Sequence, residues 1–401
     1  SLHSLHKLIF QSNFLESFHT SQLSFFKTRR EGTIILWEIK NDIAECSKFN
    51  AMHYFPHTTL YTDQPLLECI PNFSEGQNEA VIGALQQEIA AVPGQRLLHI
   101  DSSPAANRTV LTFAGSPEAV TEAAFRAIKK ASEQIDMRFQ KGAHPRLGST
   151  DVCPLVPLAN MSRQEAVAWS ERLAQRVGAE LHIPVYLYEH SARAPYRRAL
   201  PDIRKGQYEG LPLKLLQPGW QPDFGPSDWT QAARTGATII GARDILVAFN
   251  ISLNTKDERI AAHIARQMRS SSNGLLPALR AIGWYMEDFG CAQVSMNLLD
   301  YRITSPLKAW QTCSALAALH GLEPVGCEVV GLIPEACVLE AGIEALGRDF
   351  NPQQRAEFVQ AGIDLLKLDR VKPFDPEEKI LEYVLRKAGL NEAPRPWQPA
   401  G

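Results

Sequence analysis

His144 is the residue that most invites a chemical reading. It stands in the run KGAHPRLGSTDVCPLVPL, Lys141 to Leu158, which passes from a glycine-bearing turn straight into an apolar, β-prone segment. Pro145 pushes the residue before it towards extended backbone, and Gly142 and Gly148 permit unusual turns on either side. The loop should therefore hold an imidazole at the mouth of a strand. A histidine with an unperturbed pKa of ~6.5 can take up and release protons near neutrality; a solvated loop histidine is the plain alternative that this motif leaves open. Lys141 and Arg146 flank it and suit the loop to a carboxylate-bearing ligand. A second constellation is HIDSSPAANRTV, His99 to Val110. Asp101 ends one strand and Arg108 begins the next, at the same end of a hairpin. If the strand after His144 pairs beside that hairpin, Asp101, Arg108 and His144 can face one cleft. His99 and Asp101, two apart on one strand face, also suit a metal, but no third ligand at a recognised spacing follows and none is expected. Asn72 and Ser74 in PNFSEG are polar groups at another strand end, with turn capping as their simplest role.

Those residues need a frame. LLECIPNF reads as a strand, QNEAVIGALQQEIAAV as a helix, and RLLHIDSS and RTVLTFAG as strands joined by a turn at Pro104–Asn107. SPEAVTEAAFRAIKKASEQI reads as a helix capped by Ser116 with proline at its first position, and TDVCPLVPL as a strand. The order recurs: ILVAFNISL, KDERIAAHIARQMRSS, the hairpin LRAIGWYMED and CAQVSMNLLD turning near Phe289-Gly290, a helix opening on Ser305-Pro306, and VGCEVVGLI. The repeat predicts an α+β fold of two ferredoxin-like (βαββαβ) subdomains, residues 64–244 and 245–390, with antiparallel or mixed sheets, helices on one face and a shared cleft. Between the units lies a proline-, glycine- and aromatic-rich stretch, Ser191 to Gly236, which reads equally as a binding loop or as a packed connection. Residues 391–401 read as a flexible tail. Residues 1–63 read as a disordered or non-native extension; translation from Met52 is expected, with an organelle presequence as the other reading.

Composition narrows the class. The chain has 401 residues, 45% of them hydrophobic, and a formal charge of -3, with no basic stripe for nucleic acid or anionic membrane. Its apolar runs fall far short of the ~20 residues that span a bilayer, so a soluble, cytoplasmic protein is expected. The seven cysteines are scattered and form no CxxC pair, which favours a reducing compartment. There is no G-x-S-x-G elbow, P-loop or dinucleotide fingerprint. The residues support a carboxylate-binding cleft with a His and an Asp for proton transfer, and name no reaction.

A resemblance does. LLECIPNFSEG, IDSSPAANRTVLTFAG, KGAHPRLGSTDVCPLVPL, LPDIRKGQYEGL, PDFGPS, LVAFNISL, AQVSMNLLDY and VVGLIPEA resemble glutamate formiminotransferase, the formiminotransferase half of formiminotransferase-cyclodeaminase, nearly colinearly from Leu66 to Tyr383. The resemblance implies transfer of a formimino group from N-formimino-L-glutamate to N5 of tetrahydrofolate, in histidine breakdown, with folate held between two ferredoxin-like halves. It implies that His144 is the catalytic histidine, within HPR-x-G, and that Asp101 assists it by orienting the ring or stabilising its charged form. The folate-binding stretch falls on Gly225 to Gly236, giving Gly225, Pro226, Ser227, Asp228, Trp229 and Gly236; its middle, DWTQAART, is two residues longer and departs from the pattern. Arg108 and Arg146 are assigned from charge and placement to the glutamate carboxylates, which a guanidinium grips through two parallel hydrogen bonds. The resemblance also implies a homodimer, small-molecule substrates only, no metal, and a separate cyclodeaminase as a possible recipient of the product. A formyltransferase using N-formylglutamate, a non-catalytic folate or amino-acid sensor, and a metal-dependent hydrolase on His99, Asp101 and His144 are the rival readings.

Overall fold

The computed structural model describes residues 60–392. Expectations for residues 1–59 and 393–401 lie outside the described residues. Leu60 to Asp63, read as part of the extension, and Asn391, read as tail, are joined instead: the Tyr61 N–H donates to Asn391 Oδ1 at 2.7 Å and the Glu392 N–H to the Tyr61 carbonyl.

The first half runs β1 (Leu66–Cys69), β2 (Asn72–Phe73), α1 (Glu79–Ala90), β3 (Gln95–Ser103), β4 (Arg108–Gly115), α2 (Pro117–Gln134), β5 (Thr150–Ala159), α3 (Arg163–Glu180) and β6 (Val185–Leu187). Short helices α4 (Leu200–Arg204), α5 (Gln207–Leu216) and α6 (Trp229–Ala232) then lead to β7 (Thr238–Ala242). The caps follow from the sequence. Ser116 accepts from the Ala119 N–H ahead of Pro117, and Ser162 with Glu165 closes a reciprocal capping box. The strand expected over LLECIPNF is broken into β1 and β2, because Pro71 has no N–H to give the ladder. Both pieces lie between β4 and β5, antiparallel to each, and β3 pairs with the far side of β4. By position in the repeat, the order is fourth, first, third, second. The sheet does not stop there: β7 joins β5 in parallel and β6 joins β7, giving seven strands.

The second half contains β8 (Val247–Leu253), α7 (Glu258–Met268), β9 (Leu279–Met286), β10 (Cys291–Leu298), α8 (Pro306–Ala318) and β11 (Pro324–Val330). Its sheet is four-stranded and antiparallel, in the same fourth, first, third, second order. The chain ends in α9 (Glu335–Leu346), α10 (Arg355–Leu366), α11 (Pro376–Lys379) and α12 (Leu381–Lys387).

Side-chain alternation along the strands separates core from cleft. On the first sheet Leu67, Cys69, Phe73, Leu111, Phe113, Cys153 and Leu155 pack under α1, α2 and α3. Their neighbours Glu68, Asn72, Arg108, Thr112 and Val152 point the other way and line a cavity of about 740 Å³. The second sheet does the same, with Phe249 and Val329 buried while Asn250 and Glu328 reach that cavity. It is therefore held between the faces of the two sheets opposite α1, α2 and α3 on the first and α7 and α8 on the second. The Ser191–Gly236 stretch combines both expected roles. Ile203, Leu211 and Leu215 pack against Tyr186 and Ile239, while Leu200, Arg204 and Gln207 line the cavity. Among the described residues no helix is long and apolar enough to cross a membrane.

Candidate active site

The loop that carries His144 is fastened at most of its turns. Asn107 Nδ2 donates to the Lys141 carbonyl at 2.6 Å, the Leu147 N–H to Asp151 Oδ1 at 2.9 Å, and the Ser74 hydroxyl to the Gly148 carbonyl at 2.8 Å. The Ser149 N–H donates to the Thr235 carbonyl, and Ala237 N–H to that of Leu147. Ser74, expected only to cap a turn, thus helps to seat the loop.

His144 lines the cavity, and its nearest polar partner is Arg108, whose Nη1 lies 2.6 Å from the ring Nε2 and 3.3 Å from Asn72 Oδ1. A guanidinium can only donate, so Nε2 accepts and the imidazole is neutral, with its proton on Nδ1. Because proline has no N–H, the backbone partner the ring finds at Pro145 is the carbonyl. Desolvation of the ring, then the charges of Arg108 and Arg204, hold the His144 pKa well below the usual histidine value. Burial and the Arg204 charge push Arg108 down to about 10, against the pull of Asp151, Asp101 and Glu328.

Asp101 lines the same cavity from β3, but its partners come from the chain's C-terminal part. Oδ1 accepts from Lys372 Nζ at 3.0 Å; Oδ2 accepts from the Gly331 N–H at 3.3 Å and lies 3.5 Å from Lys379 Nζ and 3.7 Å from His99 Nε2. Burial alone would raise its pKa, but the His99 contact and the two lysines hold the carboxyl well below the carboxylate range. His99 accepts from Lys379 Nζ at 3.0 Å, so a lysine occupies the direction in which a metal would sit.

Other expected site residues are placed elsewhere. Arg146 is buried and faces away from the main cavity. Its guanidinium forks onto Glu209 at 2.7 and 3.0 Å and onto Gln140, so in this structure it ties the His144 loop to α5 and offers no free fork to a substrate. Gly225, Pro226, Ser227, Asp228, Trp229 and Gly236 are not among the cavity-lining residues. Asp228 caps α6, Trp229 packs on Tyr208 with ring centroids 5.3 Å apart, and Gly236 bridges Gly148 behind the His144 loop. Conversely, Arg204, Arg243, Arg280, Trp284 and Lys372 line the cavity without having been singled out. Arg204 lies in LPDIRKG, where its proximity to His144 depends on how α4 folds back; nothing local marks Lys372.

Matches to family models decide which fold this is. The model described as formiminotransferase domain, N-terminal subdomain, matches residues 66–243, and that described as formiminotransferase domain matches residues 248–386. The chain belongs to the formiminotransferase family. The two matches divide the chain between β7, the last strand of the first sheet, and β8, the first of the second. The chain is 43% identical over 336 residues to a formimidoyltransferase-cyclodeaminase of Rattus norvegicus, covering 82% of this chain and 61% of the relative. It is 44% identical over 275 residues to a glutamate formimidoyltransferase of Streptococcus pyogenes serotype M1, covering 69% and 91%, and 40% identical over 277 residues to one of Thermoplasma acidophilum, covering 69% and 90%. The chain thus spans about three fifths of the length of the bifunctional relatives.

Proposed function

We propose that this chain is a glutamate formimidoyltransferase, moving the formimino group of N-formimino-L-glutamate to N5 of tetrahydrofolate and releasing glutamate. The observation that carries the reading is a neutral imidazole, His144, on the wall of a cavity of about 740 Å³ between two sheets, a size suited to small organic substrates. The attacking nitrogen must lose a proton and the departing glutamate nitrogen must gain one. His144 Nε2 can take the first and return it for the second.

Arg108 covers that lone pair in the free enzyme. A substrate carboxylate offers the guanidinium a stronger, charge-assisted partner, so binding of glutamate draws Arg108 off the imidazole and exposes Nε2. Asp101, held ionised on the strand beyond β4 and paired with Lys372 and Lys379, serves the site by holding these cations at the cavity wall. Ile282, Trp284 and Met286 supply the apolar and aromatic wall for a flat pterin. Gly236 is assigned to seating the His144 loop. The product would be the substrate of a cyclodeaminase, the second activity in the name of the bifunctional relatives.

The test is a spectrophotometric transfer assay with tetrahydrofolate and either formiminoglutamate or formylglutamate. We expect turnover with the first donor, and a loss of ~100- to 10,000-fold in kcat for His144→Ala, the usual worth of a positioned acid-base group. A folded His144→Ala protein with near-full activity would refute the role.

A further inference from the structure

Two charged residues behind His144 take no part in the chemistry above. Asp151, at the start of β5, is only 2% exposed, and both its oxygens are occupied. Oδ1 accepts from the Leu147 N–H at 2.9 Å and lies 3.3 Å from Arg204 Nε, and Oδ2 pairs with Arg204 Nη2. Arg204 closes α4, lines the cavity, and is close enough to both Arg108 and His144 for its charge to act on each. Asp151 also borders a small space under the imidazole with Ser74, Gln140 and Arg108.

We propose that Asp151 and Arg204 are a positioning pair: Asp151 fastens the backbone of the His144 loop to a cation from α4, and that cation keeps the imidazole in its proton-accepting state. This rests on His144 being the proton-transfer group. An ion pair needed only for stability could be placed anywhere in the core. Here the pair is placed so that a second guanidinium lines the same cavity as Arg108 and His144, where its charge disfavours a charged ring. The charged groups around that imidazole are Arg108 from β4, Arg204 from α4, Asp151 from β5, and Lys141 and Arg146 of its own loop, the last neutralised by Glu209. Asp101 and Glu328 act on Arg108 from across the cavity.

The test uses the full chain with 13C-labelled histidine. The His144 ring signal is assigned by its loss in His144→Gln and titrated by NMR, beside kcat and KM. In Arg204→Met the His144 titration should move upward by about one pH unit, as expected for removing a nearby like charge. The acid limb of the kcat profile should move up by the same unit, so that on that limb kcat falls by up to about tenfold with KM nearly unchanged, since a general base is lost to protonation. Arg204→Lys, which keeps the charge, should restore the titration. Asp151→Asn keeps an acceptor for Leu147 but frees Arg204, and should resemble Arg204→Met; if it fails to fold, the two Arg204 variants carry the test. An unmoved titration in folded Arg204→Met, or a rise in KM alone, would overturn the pair. The titration is read without turnover, so full activity in His144→Gln would overturn the catalytic reading separately.

Discussion

His144 is poised by what surrounds its ring rather than by its place in the chain. Desolvation and two guanidinium groups depress its pKa, so it stays neutral to lower pH than a free histidine. The sign follows directly. Activity that needs the neutral ring is present above the depressed value and is lost as pH falls through it, so the acid limb of log kcat/KM should lie below pH ~6.5. A limb at or above the free-histidine value would contradict the Arg108 and Arg204 contacts. Asp101 has a double task. It lines the cavity and is the counter-ion of Lys379, which is itself buried. Asp101→Asn should reduce turnover and also destabilise the protein by about 3 kcal/mol, because removing one partner leaves a buried charge uncompensated. Denaturant unfolding measures that loss, and an unchanged midpoint would place the lysines elsewhere in solution.

Among the elements, the His144 loop and the segment behind it form one unit. Gly236 has φ +66°, and a Cβ there would meet the Leu147 carbonyl and come within 2.7 Å of Gly148 Cα. A left-handed backbone and a close approach coincide at a residue touching the loop. Gly236→Ala should cost more than ~1 kcal/mol. It should also lower kcat by at least tenfold by displacing His144, since small misplacements of reacting groups are expensive. Calorimetry and the transfer assay check the two halves of that expectation, and stability loss with intact kcat would separate the loop from the catalyst. The helices and strands were legible from local signals such as Ser116-Pro117, Ser305-Pro306 and the alternation Leu67, Glu68, Cys69. The break at Pro71 was marked by a residue that cannot donate to a ladder. The parallel attachment of β7 to β5 was not, because a long connection separates them and strand pairing across it is decided by burial of Ile239 and Ile240.

The whole molecule is closed by its C-terminal helices. Leu381 and Leu385 of α12 pack against Leu66 and Ala114 of the first sheet, and Leu381 also lines the cavity. Beside it Glu382 is buried. Burial, then the Glu335 charge, pushes its pKa up to about 8, while burial lifts that of Glu68, at the cavity wall, to about 7 against the pull of Arg243. Both folded-state values exceed the ordinary carboxylate range. Their contribution to stability is therefore complete at acidic pH below that range and is lost as pH rises through about 7 and 8. The melting temperature should fall from about pH 5 to about pH 8 and level off above that, as checked by calorimetry, and Glu382→Gln should flatten the upper part of that fall. A melting temperature as steeply pH-dependent in Glu382→Gln would clear this carboxyl.

The sequence by itself determined the repeated βαββαβ order, and a histidine and an aspartate at strand ends. Each of these follows from signals within a few residues: periodicity, caps, and turns that only glycine or proline permits. The tertiary structure decided who touches whom. It gave Arg108 rather than Asp101 to His144, turned Arg146 to Glu209, brought Arg204 and Lys372 to the cavity, and set Gly236 behind the loop. Those pairings join residues tens to hundreds of positions apart, and a long charged side chain commits to a partner only when burial removes water as its competitor.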